Sequence, residues 1–328
     1  MELIAGDIGG TKSWLAWVNG TPQGEQLRYE KVYASADFES ATALLKQFMM
    51  DAQVEAAPDQ LLLALPGALN GQRATLTNLD WTLDATDMQH ALAIAKVRFI
   101  NDFQASAAGV ATLTAQDVVV LNPGDSQPGE VRAITGAGTG LGLAFMTVDA
   151  TGHYRSHATE GGHIDFAPAN AQQGRLLEFL RSEYGHVSWE RAVSGSAMHD
   201  LYRFCCIELQ QALPDEPVDG ATLSAWADSG QATAQAALDL FIDLYGAWIG
   251  NVALMYQPHG GLYIAGGVAG HMQARMQSPR LMAAATDKGR MRGVVERTPV
   301  YLITCARLGV QGAITSAIPG ALHAAESY

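Results

Sequence analysis

The stretch Gly6-Asp7-Ile8-Gly9-Gly10-Thr11-Lys12 decides the fold of this 328-residue chain. It lies between two short apolar runs, Leu3 to Ala5 and Trp14 to Val18. Runs of that length, bounded by glycines, read as two strands joined by a tight hairpin. Glycines at 9 and 10 allow positive φ, so that backbone N–H groups can face a bound anion with no Cβ in the way. A phosphate suits such a turn. Asp7 would repel that phosphate unless a divalent cation lay between them, so the arrangement makes most sense for a nucleotide with its magnesium, which Asp7 would meet through water. Taken alone, the stretch also fits a plain hairpin with a surface aspartate, because Gly-Gly turns are ordinary.

A second copy strengthens the nucleotide reading. Arg132 to Thr135, then Gly136-Ala137-Gly138-Thr139-Gly140, then Leu141 to Val148 repeat the pattern of strand, glycine turn and strand. A dinucleotide fingerprint counted from Gly136 or Gly138 would need its third glycine at 141 or 143, and both are leucine. No GxxxxGK[ST] loop exists either. What remains is an actin-like or hexokinase-like clamp, and the expected fold is α/β, two-lobed and of the actin-like ATPase (ribonuclease H-like) kind, with a duplicated unit closing on a nucleotide from both sides. The expected division gives one lobe residues 1–111 plus 308–328 and the other residues 112–307.

Length and composition agree with two soluble domains. Hydrophobic residues make up 48% and charged residues 16%, and the balance of 33 acidic against 20 basic side chains gives a net charge of −13. That charge argues against nucleic acid or an anionic membrane as partner. Three cysteines, Cys205, Cys206 and Cys305, form no CxxC, which points away from a disulfide framework or a structural zinc site and toward a reducing compartment. The N-terminus carries no signal-peptide pattern, and no stretch approaches roughly 18 uninterrupted apolar residues. The expected location is the cytoplasm.

Along the chain, Arg28 to Ala34 reads as a third strand, followed by a helix whose apolar face runs from Phe38 to Met49, with Asp37 as its cap. Leu61 to Leu65, closed by Pro66-Gly67, reads as a strand buried on both faces. Thr77 to Trp81 is read as a loop, then Met88, Ala91, Leu92 and Ala95 as a helical stripe. Val97 to Ile100 is a short buried strand that runs into Asn101-Asp102, and a small-residue helix follows. Helices are expected over about 172–184, 196–211 and 231–256, strands at Leu262 to Ala265 and Val300 to Thr304, and a final helix over Gly309 to Ile318 that folds back on the first lobe.

Ligands of open α/β sheets bind at the carboxyl ends of strands, where Asn101 and Asp102 stand. Asp102 is suited to take a proton from an acceptor hydroxyl, and Asn101 offers a donor and an acceptor to a neighbouring one. An Asn-Asp pair there is also an ordinary helix cap. Glu160-Gly161-Gly162-His163 presents a carboxylate and an imidazole from a loop, a pair that fits a sugar's vicinal hydroxyls. A metal site from His153, His157, Glu160 and His163 is disfavoured, because the glycines break the helix that such spacing needs. Glu190 is a third carboxylate for the sugar or, alternatively, the partner of Arg191 at a helix start.

Together these motifs resemble the bacterial glucokinase family of the hexokinase and actin superfamily, nearly end to end. The matching stretches are Gly6-Asp7-Ile8-Gly9-Gly10-Thr11, Thr77-Asn78-Leu79-Asp80-Trp81, Ile100-Asn101-Asp102-Phe103, Gly136-Ala137-Gly138-Thr139-Gly140-Leu141-Gly142, Glu160-Gly161-Gly162-His163-Ile164-Asp165-Phe166-Ala167-Pro168 and Ile264-Ala265-Gly266-Gly267. The resemblance implies ATP-dependent transfer to the 6-hydroxyl of D-glucose, with nucleotide and sugar in the cleft between the lobes. Asp102 would be the base, while Asn78, Asn101, Glu160, His163 and Glu190 would hold the sugar. Nucleotide and Mg2+ would lie on Gly6 to Thr11 and on Thr135, Gly136, Gly138, Thr139 and Gly140, with the adenosine near Gly266-Gly267. A cytoplasmic homodimer acting in glycolysis is implied as well.

Lys12 stands where many members carry Asn, and Ser194-Gly195-Ser196-Ala197 replaces a more glycine-rich turn. The related ROK kinases share the DIGGTK turn but carry a CxCGxxGC zinc segment, and nothing like it follows His163, so no structural zinc is expected. A sugar-binding regulator or an actin-like ATPase is the competing reading, although no helix-turn-helix segment precedes the first strand. Glucose against mannose or glucosamine, and ATP against ADP or polyphosphate, stay open.

Overall fold

The computed structural model describes residues 1–21, 24–67, 69–76 and 79–318. Its contacts divide the chain into two units. The first is Met1–Thr114 with Met146–Ala158 and a segment that begins at Cys305; the second is Ala115–Phe145 with Thr159–Thr304.

The first unit is built on strands β1 (Glu2–Ile8), β2 (Lys12–Thr21), β3 (Gly24–Ala34), β4 (Gln60–Leu65) and, after the small hairpin β5 (Arg73–Leu76) and β6 (Trp81–Asp84), β7 (Lys96–Asn101). Their order in the sheet is β3-β2-β1-β4-β7. The first three form an antiparallel meander, while β1, β4 and β7 run parallel. All six residues of β4 are buried, as expected of an apolar run inside a parallel sheet. Its alternation divides the core. Leu61, Leu63 and Leu65 join Ile4 and Ile8 beneath helices α1 (Ala41–Asp51) and α2 (Ala85–Leu92). Leu62 and Ala64 join Leu3 and Ala5 on the opposite face, where Ala105 of α3 (Asp102–Gly109) packs.

A second sheet repeats the plan. Strands β8 (Val118–Asn122), β9 (Arg132–Ala137), β10 (Leu141–Val148) and β11 (Tyr154–Thr159) are followed by α4 (Ala171–Tyr184), α5 (Ala197–Glu208), α6 (Gly220–Asp228), α7 (Ala232–Tyr256), β12 (Leu262–Ala265), α8 (Gly267–His271), α9 (Gln273–Met276), α10 (Pro279–Thr286), α11 (Arg292–Glu296) and β13 (Val300–Ile303). The sheet order is β11-β10-β9-β12-β13-β8, with β9, β12 and β13 parallel. Three consecutive strands followed by two parallel ones therefore recur in both sheets, and β8 is an antiparallel addition. The two glycine turns occupy equivalent places, β1 to β2 and β9 to β10. The chain ends its described part in α12 (Leu308–Ala317), which packs on α3 in the first unit through Val310, Ala313 and Ile314.

Several local expectations are corrected. Helix α1 is capped by Ser40, whose side chain accepts from the N–H of Ala43, while Asp37 sits in a preceding 3-10 turn. In α2 the left-handed Ala93 stops the helix, so Ala95 lies beyond it, and Ala91 is exposed. Trp81 begins a strand and is buried. Helix α7 is long and apolar enough by mean composition to cross a membrane, although Asp239 and Asp243 interrupt its apolar run, and it is mostly buried in the core of the second unit. Helices α6 and α8 to α11 carried no expectation.

Glycines let α3 and α12 touch backbone to backbone. A Cβ at Gly312 would collide with the carbonyl of Ala105, and one at Gly109 with the carbonyl of Leu308. Gly312→Ala is therefore expected to lower stability by about 1–3 kcal/mol in chemical denaturation. Gly174→Ala, inside α4 with open space around it, is expected to raise stability by about 0.5–1 kcal/mol.

Candidate functional site

In the second unit, the turn between β9 and β10 is held from several directions. The N–H of Gly138 donates to the carbonyl of Gly140 at 2.8 Å, closing the turn. The N–H of Ala137 donates to the buried phenol of Tyr245 at 3.1 Å. Trp248, one turn along α7, donates its indole N–H to Thr135 Oγ1 at 2.9 Å, and that hydroxyl donates to the carbonyl of Gly142 at 2.7 Å. Thr135 is fully buried, and its side chain, expected among the nucleotide contacts, is engaged in bracing the turn. Tyr245 and Trp248 were missed by sequence reasoning, although aromatics at i and i+3 on one helix do signal a shared face.

The glycines serve close approach. Gly9, Gly136, Gly138 and Gly140 all have ordinary negative φ, so the expected positive-φ turns are not what forms. A Cβ at Gly136 would strike the carbonyl of Ala265, and one at Gly140 would strike the carboxylate of Glu190. Gly266 does take positive φ, 93°, directly after β12.

Glu160-Gly161-Gly162-His163 forms a 3-10 turn at Gly161–His163, in which residues three apart eclipse. Glu160 Oε2 and His163 Nε2 lie 4.0 Å apart, both exposed. The glycines press this turn onto β10, since a Cβ at Gly162 would meet the carbonyl of Leu141 and one at Gly161 the side chain of Leu143. Glu190 accepts from the N–H of Leu141 through Oε2 at 2.9 Å. Arg191 does not pair with it; its guanidinium lies 4.0 Å from the centre of the Tyr184 ring.

In the first unit, β1 is longer than its apolar run, so Gly6, Asp7 and Ile8 lie within the strand. Gly6 and Ile8 are packed into the core, so any nucleotide contact they make is through backbone: Ile8 is fully buried, and a Cβ at Gly6 would strike the side chain of Leu15. The turn proper is Gly9 to Thr11, anchored by Gly9 N–H to the carbonyl of Lys12 and by Ser35, which donates through its hydroxyl to the carbonyl of Gly9. Asp7 pairs in register with Ala64, and Ala64 with Ile100, so Asp7 and the end of β7 share the carboxyl edge of the parallel strands, about 10 Å apart at normal strand spacing.

Asn101 caps α3, its Oδ1 accepting from the N–H groups of Phe103 at 3.0 Å and Gln104 at 3.1 Å, while its amide donates to the carbonyl of Gly67 at 3.3 Å. The acceptor expected for a sugar hydroxyl is thus occupied by the cap. Asp102 is half-buried in the first turn of α3, where negative charge is favoured, and its Oδ1 accepts from the N–H of Phe103 at 2.8 Å. Asn78 lies outside the described residues.

Asp7 is the electrostatically unusual group. Burial pushes its carboxyl up to about 6, and Lys12 pulls it part of the way back. The α12 backbone crowds it, because a Cβ at Gly309 would overlap Oδ2. Among the described residues no three His, Cys, Asp or Glu side chains gather to hold a metal. A single desolvated carboxylate nevertheless fits magnesium, which takes one or two protein carboxylates and completes its shell with water and phosphate.

The sequence model of the glucokinase family matches residues 4–318. The chain belongs to the glucokinase family. A glucokinase from Nostoc sp. is 36% identical over 333 residues, covering 95% of this chain and 97% of that protein. Among solved structures, a glucokinase from an Antarctic psychrotroph superposes with a TM-score of 0.82 at 29% identity, covering 95% and 97% of the two chains. A ROK-family glucokinase from Streptomyces griseus, solved with glucose and AMPPNP, shares the fold at a TM-score of 0.62 and 19% identity, covering 96% and 98%. Membership makes the chain a sugar-phosphorylating enzyme of actin-like fold.

The raised Asp7 pKa has a sign that can be checked. Between about pH 4 and pH 6 the folded chain holds a proton that the unfolded chain has released, so the Asp7 contribution lowers stability as pH rises through that window. Asp7→Asn is expected to remove this slope and to be more stable at pH 7 by up to about 3 kcal/mol, read from denaturant unfolding at several pH values without nucleotide or magnesium.

Proposed function

We propose that this enzyme transfers the γ-phosphoryl group of ATP to the 6-hydroxyl of D-glucose, with Asp102 as general base. The observation that carries the reading is the account of donors at the second glycine turn. The N–H groups of Ala137, Gly138 and Leu141 are already spent on Tyr245, Gly140 and Glu190. Among the described residues nothing accepts from the adjacent N–H groups of Thr139 and Gly140, which are left for phosphate oxygens. Gly266, with no Cβ and positive φ beside Ala137, suits a backbone that a nucleoside approaches closely.

For the sugar, Glu160 and His163 offer an acceptor and a tautomeric donor or acceptor side by side, and Glu190 keeps Oε1. Asp102 sits at the end of a parallel strand, fixed in direction by its bond from Phe103. It would accept the hydroxyl proton as the sugar oxygen attacks phosphorus and the bond to the leaving phosphate breaks, so that ADP departs and the proton stays on the carboxylate. Magnesium, bound near Asp7 through water, would supply positive charge to the phosphates. The free thiols of Cys205 and Cys206, both buried, and of Cys305 are consistent with work in a reducing compartment such as the cytoplasm.

Asp102→Asn is expected to keep glucose affinity by calorimetry and to lower kcat by about 10² to 10⁴ in an assay that couples glucose 6-phosphate formation to a reporter. Near wild-type turnover would remove Asp102 from the mechanism. Hydrolysis of ATP by the unmutated enzyme without any sugar phosphate would overturn the reading as a whole, and a hexose panel at fixed ATP identifies the preferred acceptor.

A further inference from the structure

The two N–H groups left for phosphate belong to the peptide that joins Gly138 to Thr139 and to the peptide that joins Thr139 to Gly140. In a planar trans peptide the carbonyl and the N–H point in opposite directions, so whatever holds the carbonyl also aims the donor. Both carbonyls are held by one short segment. Gly195 N–H donates to the carbonyl of Gly138 at 2.7 Å, an approach that a Cβ at Gly195 would obstruct. The Ser196 hydroxyl donates to the carbonyl of Thr139 at 3.1 Å.

The Ser196 bond is the last of a directed chain. The N–H of Ala197 donates to Ser194 Oγ at 3.1 Å, and the hydroxyl oxygens of Ser194 and Ser196 lie 2.9 Å apart. A serine has one proton to give, and that of Ser196 is on Thr139, so the proton between the two hydroxyls comes from Ser194. Ser194 is fully buried, which leaves its hydroxyl no solvent to turn to. The chain therefore runs from the first N–H of α5, a 12-residue helix whose positive end favours this direction, and each bond polarises the next. A serine at the start of a helix ordinarily turns its oxygen inward to a backbone N–H of the first turn. Ser196 makes no such bond: it is exposed, and its hydroxyl faces the glycine turn instead.

We propose that Ser196 is a positioning residue for the nucleotide: its hydroxyl, without touching the ligand, orients the peptide whose N–H, that of Gly140, meets a phosphate oxygen. The proposal rests on the reading of the second glycine turn as a phosphate cradle made above. Ser196 lies in one of the two segments where this sequence departs from the family pattern, and it belongs to none of the matching stretches. Its influence is confined to ligands that carry phosphate, since neither adenosine nor glucose calls on the Gly140 donor.

The test measures affinities for AMPPNP with Mg2+, for adenosine and for D-glucose by calorimetry in the unmutated enzyme, Ser196→Ala, Ser196→Thr and Gly138→Ala. Ser196→Ala is expected to weaken AMPPNP by about threefold to tenfold, the worth of one hydrogen bond, while adenosine, glucose and the thermal midpoint stay as in the unmutated enzyme. Ser196→Thr keeps the hydroxyl at an exposed position and is expected to restore AMPPNP affinity, which a purely steric role of the serine would not produce. Gly138→Ala puts a methyl into the open space beside the turn and probes the cradle itself. AMPPNP weakened by Gly138→Ala but untouched by Ser196→Ala overturns the proposal and leaves the cradle standing. A Ser196→Ala enzyme that loses adenosine and AMPPNP to the same extent, or a threonine variant no better than alanine, overturns it as well. AMPPNP affinity unchanged in both Ser196→Ala and Gly138→Ala overturns the cradle and the proposal together.

Discussion

Backbone lying directly against backbone is the contact on which the rest of this structure depends. It occurs where Gly136 meets Ala265, where Gly162 meets Leu141 and where Gly312 meets Ala105. A single Cβ at any of these would have to displace a carbonyl group belonging to a neighbouring element, which a close-packed interior accommodates poorly. Each of the first two contacts brings a candidate ligand-binding turn to its supporting strand, so the same glycines that shape the core also set the position of polar groups at the surface.

The polar groups are then arranged by subtraction. Tyr245, Glu190 and the turn's own carbonyls consume most of the N–H groups between Ala137 and Leu141. Buried donors are costly to leave unpaired, and the fold satisfies Ala137, which it hides, while among the described residues the N–H groups of Thr139 and Gly140 have no acceptor. Trp248 and Tyr245 lie more than 100 residues from the turn they brace, on a helix mostly buried in the core.

Asp7 illustrates the opposite economy. A carboxylate enclosed by α12 and the first hairpin, opposed only in part by Lys12, destabilises the folded chain at neutral pH. Such a cost is of the kind that persists where a charge serves a ligand, which is the role proposed here for Asp7 with magnesium. The glycine that faces it, Gly309, belongs to the last helix, so the site's first and last elements constrain each other.

The sequence by itself determined the duplicated glycine hairpins, the alternation of strands and helices, the doubly buried β4 and the family motifs, because periodicity and turn chemistry are local properties. It also named Asp102, Glu160, His163 and Glu190 as groups of interest. Only the tertiary structure decided which atoms of those residues are already engaged: Asn101 spends its oxygen on a cap, Thr135 is buried under its turn, and Glu190 holds Leu141 instead of Arg191. It also decided why the glycines are there, by close approach in place of positive φ. Hydrogen bonds and steric exclusion between segments far apart in the chain leave no periodic trace in either one, so neither stretch read alone could have disclosed them.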